Sequence, residues 1–475
     1  MTNSTAFSHT KADINRVFDL QVQHKWAVAE LGYSERKRKL KELLRLFLSY
    51  QEAFRESMMQ DFGKSPQETD LTEMLPVSSE LRFVIKHLKG WMKPQPVRTP
   101  ITLIGTYSRI DYEPKGVVLI ISPWNFPVTL SIGPMIAAVA AGNCVMLKPS
   151  EKTQHTSAVM KRMLGEIFSE QEVAVFEGGE EVASELLNLP FDHIFFTGST
   201  KVGKIVATKA AENLTSCTLE LGGKSPTIID EGANISSTAR SIVWGKMLNA
   251  GQICISPDYV FVHKRMHDAF VEACKKEITT FYGENPELSK DYSRIVDQGQ
   301  FDRLNGMLKD AVEHGATFAA GGKVNAETRY IAPTLLLNND LESKIMQEEI
   351  FGPLLPILPF ESIDEVLKFV QARPIPLTLY IFSKSSKVIN KIRRLSRSGT
   401  VGINSTLIHF FNPYLPFGGS GLSGIGKAHG FRSFELFSNA KGSIRTWSPF
   451  IILGLLFPPF SGLKKKVIHL ITKWF

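Results

Sequence analysis

The sequence predicts an α/β protein made of a doubly wound parallel sheet followed by a second α/β domain. Three observations predict it. Short continuous apolar runs rich in β-branched residues, such as GVVLIISPW and NCVMLKPS, read as strands buried on both faces. Helix-like segments separate these runs in strict turn, the pattern of a parallel sheet with crossover helices. The chain is also 475 residues long, too long for one ordinary core, so two or three domains are expected.

The elements follow in order. From Asn15 to about Asp61 apolar residues recur at helical spacing among Lys, Glu and Arg, as in RKLKELLRLFLSY, which predicts long amphipathic helices. In KPQPVRTPITL the prolines at 94, 96 and 100 break any helix and favour an extended arm. GVVLIISPW is then a strand, PMIAAVAAG a helix and NCVMLKPS the next strand. A helix near Ala158 to Phe168, the strand VAVFEGG, the helix ASELLN and the strand FDHIFFTG complete a Rossmann-like first half. After LELGGKSPTIID the alternation resumes through YVFVHK, ITTFY, PTLLL and LPILPF. A second α/β domain thus runs from roughly Leu221 to Ile408, closed by the glycine-rich PFGGSGLSGIGKAHG.

Composition narrows the function. Hydrophobic residues at 43% and charged residues at 21% are ordinary for a soluble globular protein. The net charge of +8 is concentrated at one end: no acidic residue follows Glu435, whereas Lys441, Arg445, Lys464, Lys465, Lys466 and Lys473 do. The body is therefore nearly neutral. Nothing resembles an aromatic-interleaved nucleic-acid platform or a paired-Cys metal module, so neither nucleic acid nor a metal is expected. Cys144, Cys217, Cys254 and Cys274 show no short spacings, which fits a reducing compartment. The start MTNSTAFSHTKADIN lacks the charged-then-apolar order of a secretion signal, and a cytoplasmic location is the expectation.

Three glycine loops compete as phosphate sites. TGSTKVGKI has Walker A spacing from Gly198 through Gly203 and Lys204, but Ile205 stands where a Mg²⁺-ligating Ser or Thr is required. GLSGIGKA fails in the same way at Ala428, and Gly419, Gly421 and Gly424 satisfy only the bare G-x-G-x-x-G pattern. Context favours the first. It follows the strand-like HIFF and opens a helix, so helix amides can face a phosphate, whereas GLSGIGKA follows the proline-broken FNPYLPF. A dinucleotide needs no Mg²⁺ between its phosphates, so the missing hydroxyl favours a nicotinamide dinucleotide over ATP.

Among the cysteines, Cys144, Cys217 and Cys274 lie in strand-like or helix-like runs and read as small buried hydrophobes. Cys254, in NAGQICISPDY, lies in neither; a loop or helix-end position can expose a thiol and lower its pKa, leaving nucleophile and structural cysteine as alternatives. Glu220, between Leu219 and Leu221, points either to solvent across an edge strand, the commoner outcome, or into a cleft, where desolvation suits it to general-base work. Asn125 in SPWNFP follows a predicted strand and has an amide able to donate to an oxyanion, or is an ordinary turn asparagine.

Taken together, SPWNFP, LKPSE, FFTGSTKVG, LELGGKSP, GQICISPDY, EEIFGPLLP and PFGGSGLSG resemble the aldehyde dehydrogenase superfamily in order and spacing, from about Val17 to Ser443. The forms GQ-x-C-x-x-PDY and EEIFGP are similar to the class 3 and fatty aldehyde dehydrogenase branch. The resemblance implies an NAD-binding domain over 1–96 and 111–220, a catalytic domain over 221–408, a small β oligomerisation arm with bridging segments at 97–110 and 409–443, and a tail over 444–475. It also implies that Cys254 attacks an aldehyde to give a thiohemiacetal, with the oxyanion held by Asn125 and the Cys254 N–H. The resulting thioester would be hydrolysed with Glu220 as general base. Gly198, Ser199 and Gly203 would meet the cofactor pyrophosphate. Lys148 and Glu151 would face the adenosine ribose, and Glu349 and Phe351 the nicotinamide ribose and ring. NAD is the favoured cofactor, with NADP retained because the branch often uses both. A homodimer is implied.

Two departures shape the expected substrate. Phe126 replaces the tyrosine of the usual WNYP, and HFFNPYLPF, with His409 and Phe411, adds aromatic bulk to the expected tunnel. Both favour long aliphatic or aromatic aldehydes. In the tail, PFIILGLLFPPF is shorter than the roughly 20 apolar residues that cross a bilayer. Beyond it Leu463, Val467, Leu470, Ile471 and Trp474 share one helical face beside a lysine-rich one, which suits a membrane surface or packing on a dimer. Two other functions fit the same chain: a CoA-acylating relative, against which Glu220 argues, and a catalytically silent binding protein of the same fold.

Overall fold

The computed structural model describes residues 9–447 and 457–474; the expectations for MTNSTAFS and for Pro449 to Leu456 fall outside them. Helices Lys11–Ala29, Tyr33–Ser49 and Gln51–Phe62 come first. Thr10 starts the first with a reciprocal cap: its hydroxyl accepts from the Asp13 N–H, and Asp13 accepts from the Thr10 N–H, both at 3.2 Å. Leu40, Leu43 and Phe47 form the buried stripe of the second. After a wide helical turn at Asp70–Met74, a helix runs over Leu75–Trp91.

The strands are, in order, β1 Gln95–Val97, β2 Thr106–Pro114, β3 Val117–Ile121, β4 Cys144–Lys148, β5 Val173–Val175, β6 His193–Gly198, β7 Ser216–Leu221, β8 Pro226–Ile229 and β9 Tyr259–His263. They continue with β10 Thr317–Ala320, β11 Val324–Asn325, β12 Tyr330–Ile331, β13 Thr334–Leu337, β14 Leu354–Phe360, β15 Thr378–Phe382, β16 Thr400–Ile403, β17 Gly424–Ile425 and β18 Ser438–Thr446. Among the described residues they form a six-stranded sheet of order β17-β7-β6-β3-β4-β5 and a seven-stranded sheet of order β10-β13-β14-β9-β8-β15-β16. A three-stranded arm has the order β1-β2-β18, and β11 pairs with β12. The two large sheets are parallel except at β17 and β10.

The first sheet shows why its strands read as unbroken apolar runs. Val118, Ile120, Val145 and Leu147 enter one core, while Val117, Leu119, Ile121, Cys144 and Met146 enter another on the opposite face. A strand covered on both sides needs no polar alternation. The chain winds outward from β3 to β4 and β5, then returns beside β3 as β6. Between β3 and β6 the winding reverses, and loops leaving the carboxyl ends of these strands diverge there to open a crevice. Buried Asn143 fixes the start of this sheet: its carbonyl accepts from the Gly116 N–H at 2.9 Å, and its amide donates to the carbonyls of Ala138 and Phe437 at 3.0 and 2.9 Å.

One apolar run departs from its reading. ITTFY is the last turn and a half of helix His267–Tyr282 rather than part of the strand alternation. Ile278 alone of its first three residues turns into the core, and the preceding VEACKKE carries the helical period through. Local β-branching yields here to the longer amphipathic pattern. The tail is helical over Leu463–Trp474, with Leu463, Leu470 and Trp474 exposed. No helix among the described residues is long and apolar enough to cross a membrane.

Candidate active site

A cavity of about 340 Å³ opens between the two large sheets. Its walls are apolar: Leu71, Leu75, Leu130, Trp244, Leu248 and Phe410 line it, and Phe126 and Phe411 add aromatic faces. Cys254 and Glu220 also line it, beside Thr197 and Leu377. A polar reacting end in an otherwise apolar pocket is a common design for small-molecule sites.

Cys254 sits on the loop that joins helix Ile235–Met247 to β9. The loop begins with Asn249 and Ala250 at φ +52° and +50°, a left-handed pair that costs about 1–3 kcal/mol per non-glycine residue and needs outside support. That support is a buried polar network. Asn249 Nδ2 donates to the Asn125 carbonyl at 2.9 Å, and the Asn125 amide donates to the Gln252 carbonyl at 3.0 Å. The Gln252 side chain donates to the carbonyls of Asn249 and Arg294 and accepts from the Val296 N–H. Glu68 receives the Asn249 N–H at 2.8 Å. Beneath lies Lys64, wholly buried, 3.4 Å from Glu73, 3.3 Å from the Asn125 carbonyl and 4.5 Å above the Phe126 ring. Removing one member of such a buried pair costs about 3–5 kcal/mol, because the other charge is stranded.

The thiol is half-buried against the apolar cavity wall. Burial first, then the nearby Glu349 and Glu220 carboxylates, push the Cys254 thiol up to about 12, against the pull of the N–H groups of Cys254 and Ile255. The loop position alone therefore does not lower its pKa, contrary to the sequence reading, because helix-end amides are outweighed by desolvation. Glu220 ends in a cleft and not at a solvent edge. It lies on β7 between β6 and β17, pairing with Thr197 and Gly424, and is 7% exposed. Burial raises its carboxyl well above the ordinary range, and neither oxygen has a hydrogen-bond partner among the described residues.

Of the residues expected to face the dinucleotide, those from Lys148 to Gly203 lie at or just beyond the carboxyl ends of the first sheet. Lys148 ends β4, and its ammonium donates to Glu151 at 2.9 Å. Gly198 ends β6. Ser199 caps helix Thr200–Glu212 by accepting from the Val202 N–H, and Gly203 lets that helix settle on Leu221. Glu349 and Phe351 come from the loop before β14, with Phe351 edge-on to Trp124 at 5.3 Å. A side chain at Gly222 would meet Glu349 Oε2 at 2.1 Å, so only glycine admits that carboxylate. Glu349 Oε1 is buried without a partner, and burial pushes the carboxyl up to about 7. An orphaned acceptor over bare backbone, beside a capped helix N-terminus, fits a dinucleotide with its ribose hydroxyls.

One of the three expected tunnel residues behaves differently. Phe126 and Phe411 line the cavity, but His409 does not: its Nε2 lies 3.1 Å from the Thr400 hydroxyl and 3.5 Å from that of Thr378, behind the Phe417 wall. Polar partners on β15 and β16 draw the ring inward. His429 lines the cavity instead, at φ +82° and stacked on Phe417, with burial pulling its pKa down to about 4. Sequence reasoning also missed Lys64, Glu68, Glu73, Asn249 and Gln252, and the buried Lys224–Asp258 pair. Lys224 donates to the Glu348 carbonyl and Asp258 receives the Ile350 N–H, clasping the Glu349 loop. The signal was present in GGKSP and PDY, a lysine and an aspartate inside otherwise buried stretches.

Fold and site together define a two-sheet α/β enzyme with a thiol and a carboxylate at a dinucleotide crevice. The chain belongs to the aldehyde dehydrogenase family, whose model matches residues 4–442. It is 43% identical over 434 residues to a 4,4'-diaponeurosporen-aldehyde dehydrogenase of Staphylococcus aureus, covering 91% of this chain and 94% of that one. To aldehyde dehydrogenase family 3 member B2 of Mus musculus it is 40% identical, covering 90% and 89%. A solved structure described as the substrate bound state of Staphylococcus aureus AldH superposes with a TM-score of 0.93 at 42% identity, covering 97% and 99%. An NAD+ complex of aldehyde dehydrogenase from Bacillus cereus superposes with a TM-score of 0.85 at 27% identity, covering 93% and 90%. The chain is thus an NAD(P)-dependent oxidoreductase acting on the aldehyde group.

The raised thiol pKa gives a direct expectation for cofactor-free protein. Iodoacetamide labelling of the Cys254 peptide, followed by mass spectrometry, should accelerate about tenfold per pH unit between pH 7 and 9 without a plateau. A plateau below pH 8 would contradict the desolvated environment described for the thiol.

Proposed function

We propose that this enzyme oxidises long apolar aldehydes to carboxylic acids through an acyl thioester on Cys254. The observation that carries this reading is the apolar cavity that runs to the Cys254 thiol and the Glu220 carboxylate. The Cys254 thiol gives up its proton to water and its sulfur bonds to the carbonyl carbon, forming the thiohemiacetal alkoxide. The negative oxygen that results is met by the Cys254 N–H and the Asn125 amide, a side chain already held to the thiol loop through the Gln252 carbonyl. When bound, the nicotinamide supplies the acceptor for hydride. Glu220 then takes a proton from water, the water oxygen bonds to the acyl carbon, and the carbon–sulfur bond breaks with its electron pair returning to sulfur.

Lys148, Glu151, Gly198, Ser199, Gly203, Glu349 and Phe351 hold the dinucleotide in this reading. Glu151, beside the Lys148 ammonium, accepts from ribose hydroxyls and repels a 2′-phosphate, which supports NAD over NADP. The β1-β2-β18 arm, with Tyr107 and Ile444 exposed, supports a homodimer. The Leu463–Trp474 helix, with exposed apolar residues beside Lys464, Lys465, Lys466 and Lys473, supports peripheral contact with an anionic membrane surface.

Each methylene taken into the cavity is worth about 0.8 kcal/mol, roughly fourfold in kcat/KM. With NAD, kcat/KM should therefore rise at least about 100-fold from propanal to decanal, while Cys254→Ala loses about 10³-fold or more of the turnover. A flat chain-length profile would overturn the substrate class, and turnover persisting in Cys254→Ala would overturn the mechanism. NADP should be used less well than NAD in the same assay. For the tail, the intact chain should float with phosphatidylglycerol-containing vesicles, and a chain ending at residue 447 should remain in the soluble fraction. Equal flotation of the two would remove the membrane contact.

A further inference from the structure

The Glu220 carboxylate poses a problem that the reaction does not explain. It is buried, its two oxygens have no hydrogen-bond partner among the described residues, and a general base must nonetheless be ionised to accept a proton. The groups around it offer little help. Thr197 on β6, directly paired with it, carries an uncharged hydroxyl that is itself without a partner. Cys254 on the thiol loop and the Glu349 carboxyl that acts on it can add only negative charge. The one cation that acts on Glu220 among the described residues is Lys427.

Lys427 is set there by the strap that runs from Phe417 to Ala428. Phe417 and Ala428 bridge its two ends, and Ala428 N–H donates to the Phe417 carbonyl at 2.7 Å. In between, Gly424 pairs with Glu220, and the Leu221 N–H donates to the Ser423 carbonyl at 3.1 Å. A side chain on Gly418 would lie 2.7 Å from Glu220 Oε1, so the carboxylate rests against bare backbone. The carbonyl of that same Gly418 receives the Lys427 ammonium, which also donates to the Gly419 carbonyl at 3.0 Å and reaches the Gly399 carbonyl at 3.4 Å. The ammonium and the carboxylate therefore share one glycine, one on its carbonyl and the other against its α-carbon. Backbone carbonyls occupy the ammonium's donors, so its influence on Glu220 is that of a fixed charge and not of a direct hydrogen bond.

We propose that Lys427 is a positioning residue for the general base, the fixed counter-charge that the glycine strap delivers to Glu220 so that the buried carboxylate can accept a proton from water. The inference rests on Glu220 being that base. Lys427 touches neither substrate nor cofactor; it acts through Glu220. The burial of Glu220 opposes its ionisation while Lys427 favours it, and Lys427 is in turn influenced by Glu220 in the complementary direction.

The test follows the decay of the acyl-enzyme after a single turnover with decanal and NAD, from pH 5 to 9, in the full-length protein. The decay should show an acid limb that reports Glu220 ionisation. In Lys427→Gln and Lys427→Met, both neutral, that limb should move upward by about one pH unit, with decay below it slowed about tenfold and the KM for decanal unchanged. Lys427→Arg, which keeps the charge, should return the limb close to its original position. Glu220→Gln should abolish the limb together with the decay. An unmoved limb in both folded neutral variants, with only a lower melting temperature, would overturn the inference and leave Lys427 as a clamp of the strap. A limb that survives in Glu220→Gln would instead overturn the assignment of the base, and the two failures are distinguished by that variant. Two neutral substitutions of different shape guard against one that fails to fold, and a limb displaced equally in Lys427→Arg would also count against charge as the cause.

Discussion

The site depends on the hydrogen-bond exchange between Asn125 and the thiol loop. One N–H of the Asn125 amide donates to the Gln252 carbonyl, leaving the other free, while the Asn125 backbone carbonyl is held by Asn249 and approached by Lys64. This ties the loop after β3, in the first sheet, to the loop before β9, in the second. Without it the left-handed turn at Asn249 and Ala250 keeps only Glu68 and the Gln252 side chain to oppose its strain, and the tie that holds the Cys254 loop to the first sheet is lost. Because its members are buried, removing any one of them strands the groups it held away from water, which is how polar groups confer a single geometry.

Topology places the remaining parts. The reversal of winding between β3 and β6 brings the loops bearing Asn125 and Ser199 to one rim, and β7 carries Glu220 to the same rim from the neighbouring position. The second sheet contributes the thiol loop and, through the Lys224–Asp258 clasp, the Glu349 loop. The result is a reacting end containing one thiol and two carboxylates, with Glu220 buried and Cys254 and Glu349 partly buried. Desolvation raises the pKa of all three. Such a site favours neutral groups until charge is supplied, and it strengthens every electrostatic interaction made inside it.

Much of this was legible in the amino-acid order, for identifiable reasons. Strands buried on both faces, such as Val117–Ile121 and Cys144–Lys148, announce themselves as unbroken apolar runs, and the glycine loop after HIFF could be separated from its competitor by strand and helix context. Glu220 could not be aimed. Whether a strand residue faces solvent or a cleft depends on what pairs beside it, and the strand that covers β7 is a two-residue segment about 200 positions later in the chain. His409 could not be placed for a similar reason: the Thr378 and Thr400 hydroxyls that draw it inward belong to two different strands. Lys64, Glu68 and Glu73 lie beyond the predicted helices, and burial of a charge leaves no trace in periodicity. ITTFY shows the converse, local composition favouring a strand where the longer period builds a helix.

The account turns on an acyl group resting on Cys254 until Glu220 activates water. Tryptic mass spectrometry of Glu220→Gln, quenched after one turnover with decanal and NAD, reads this directly. The account predicts a decanoyl adduct on the peptide containing Cys254, formed in step with reduced cofactor and persisting after excess aldehyde is removed. Reduced cofactor formed in equal amount with no adduct at Cys254, or with the acyl group on another residue, would contradict it.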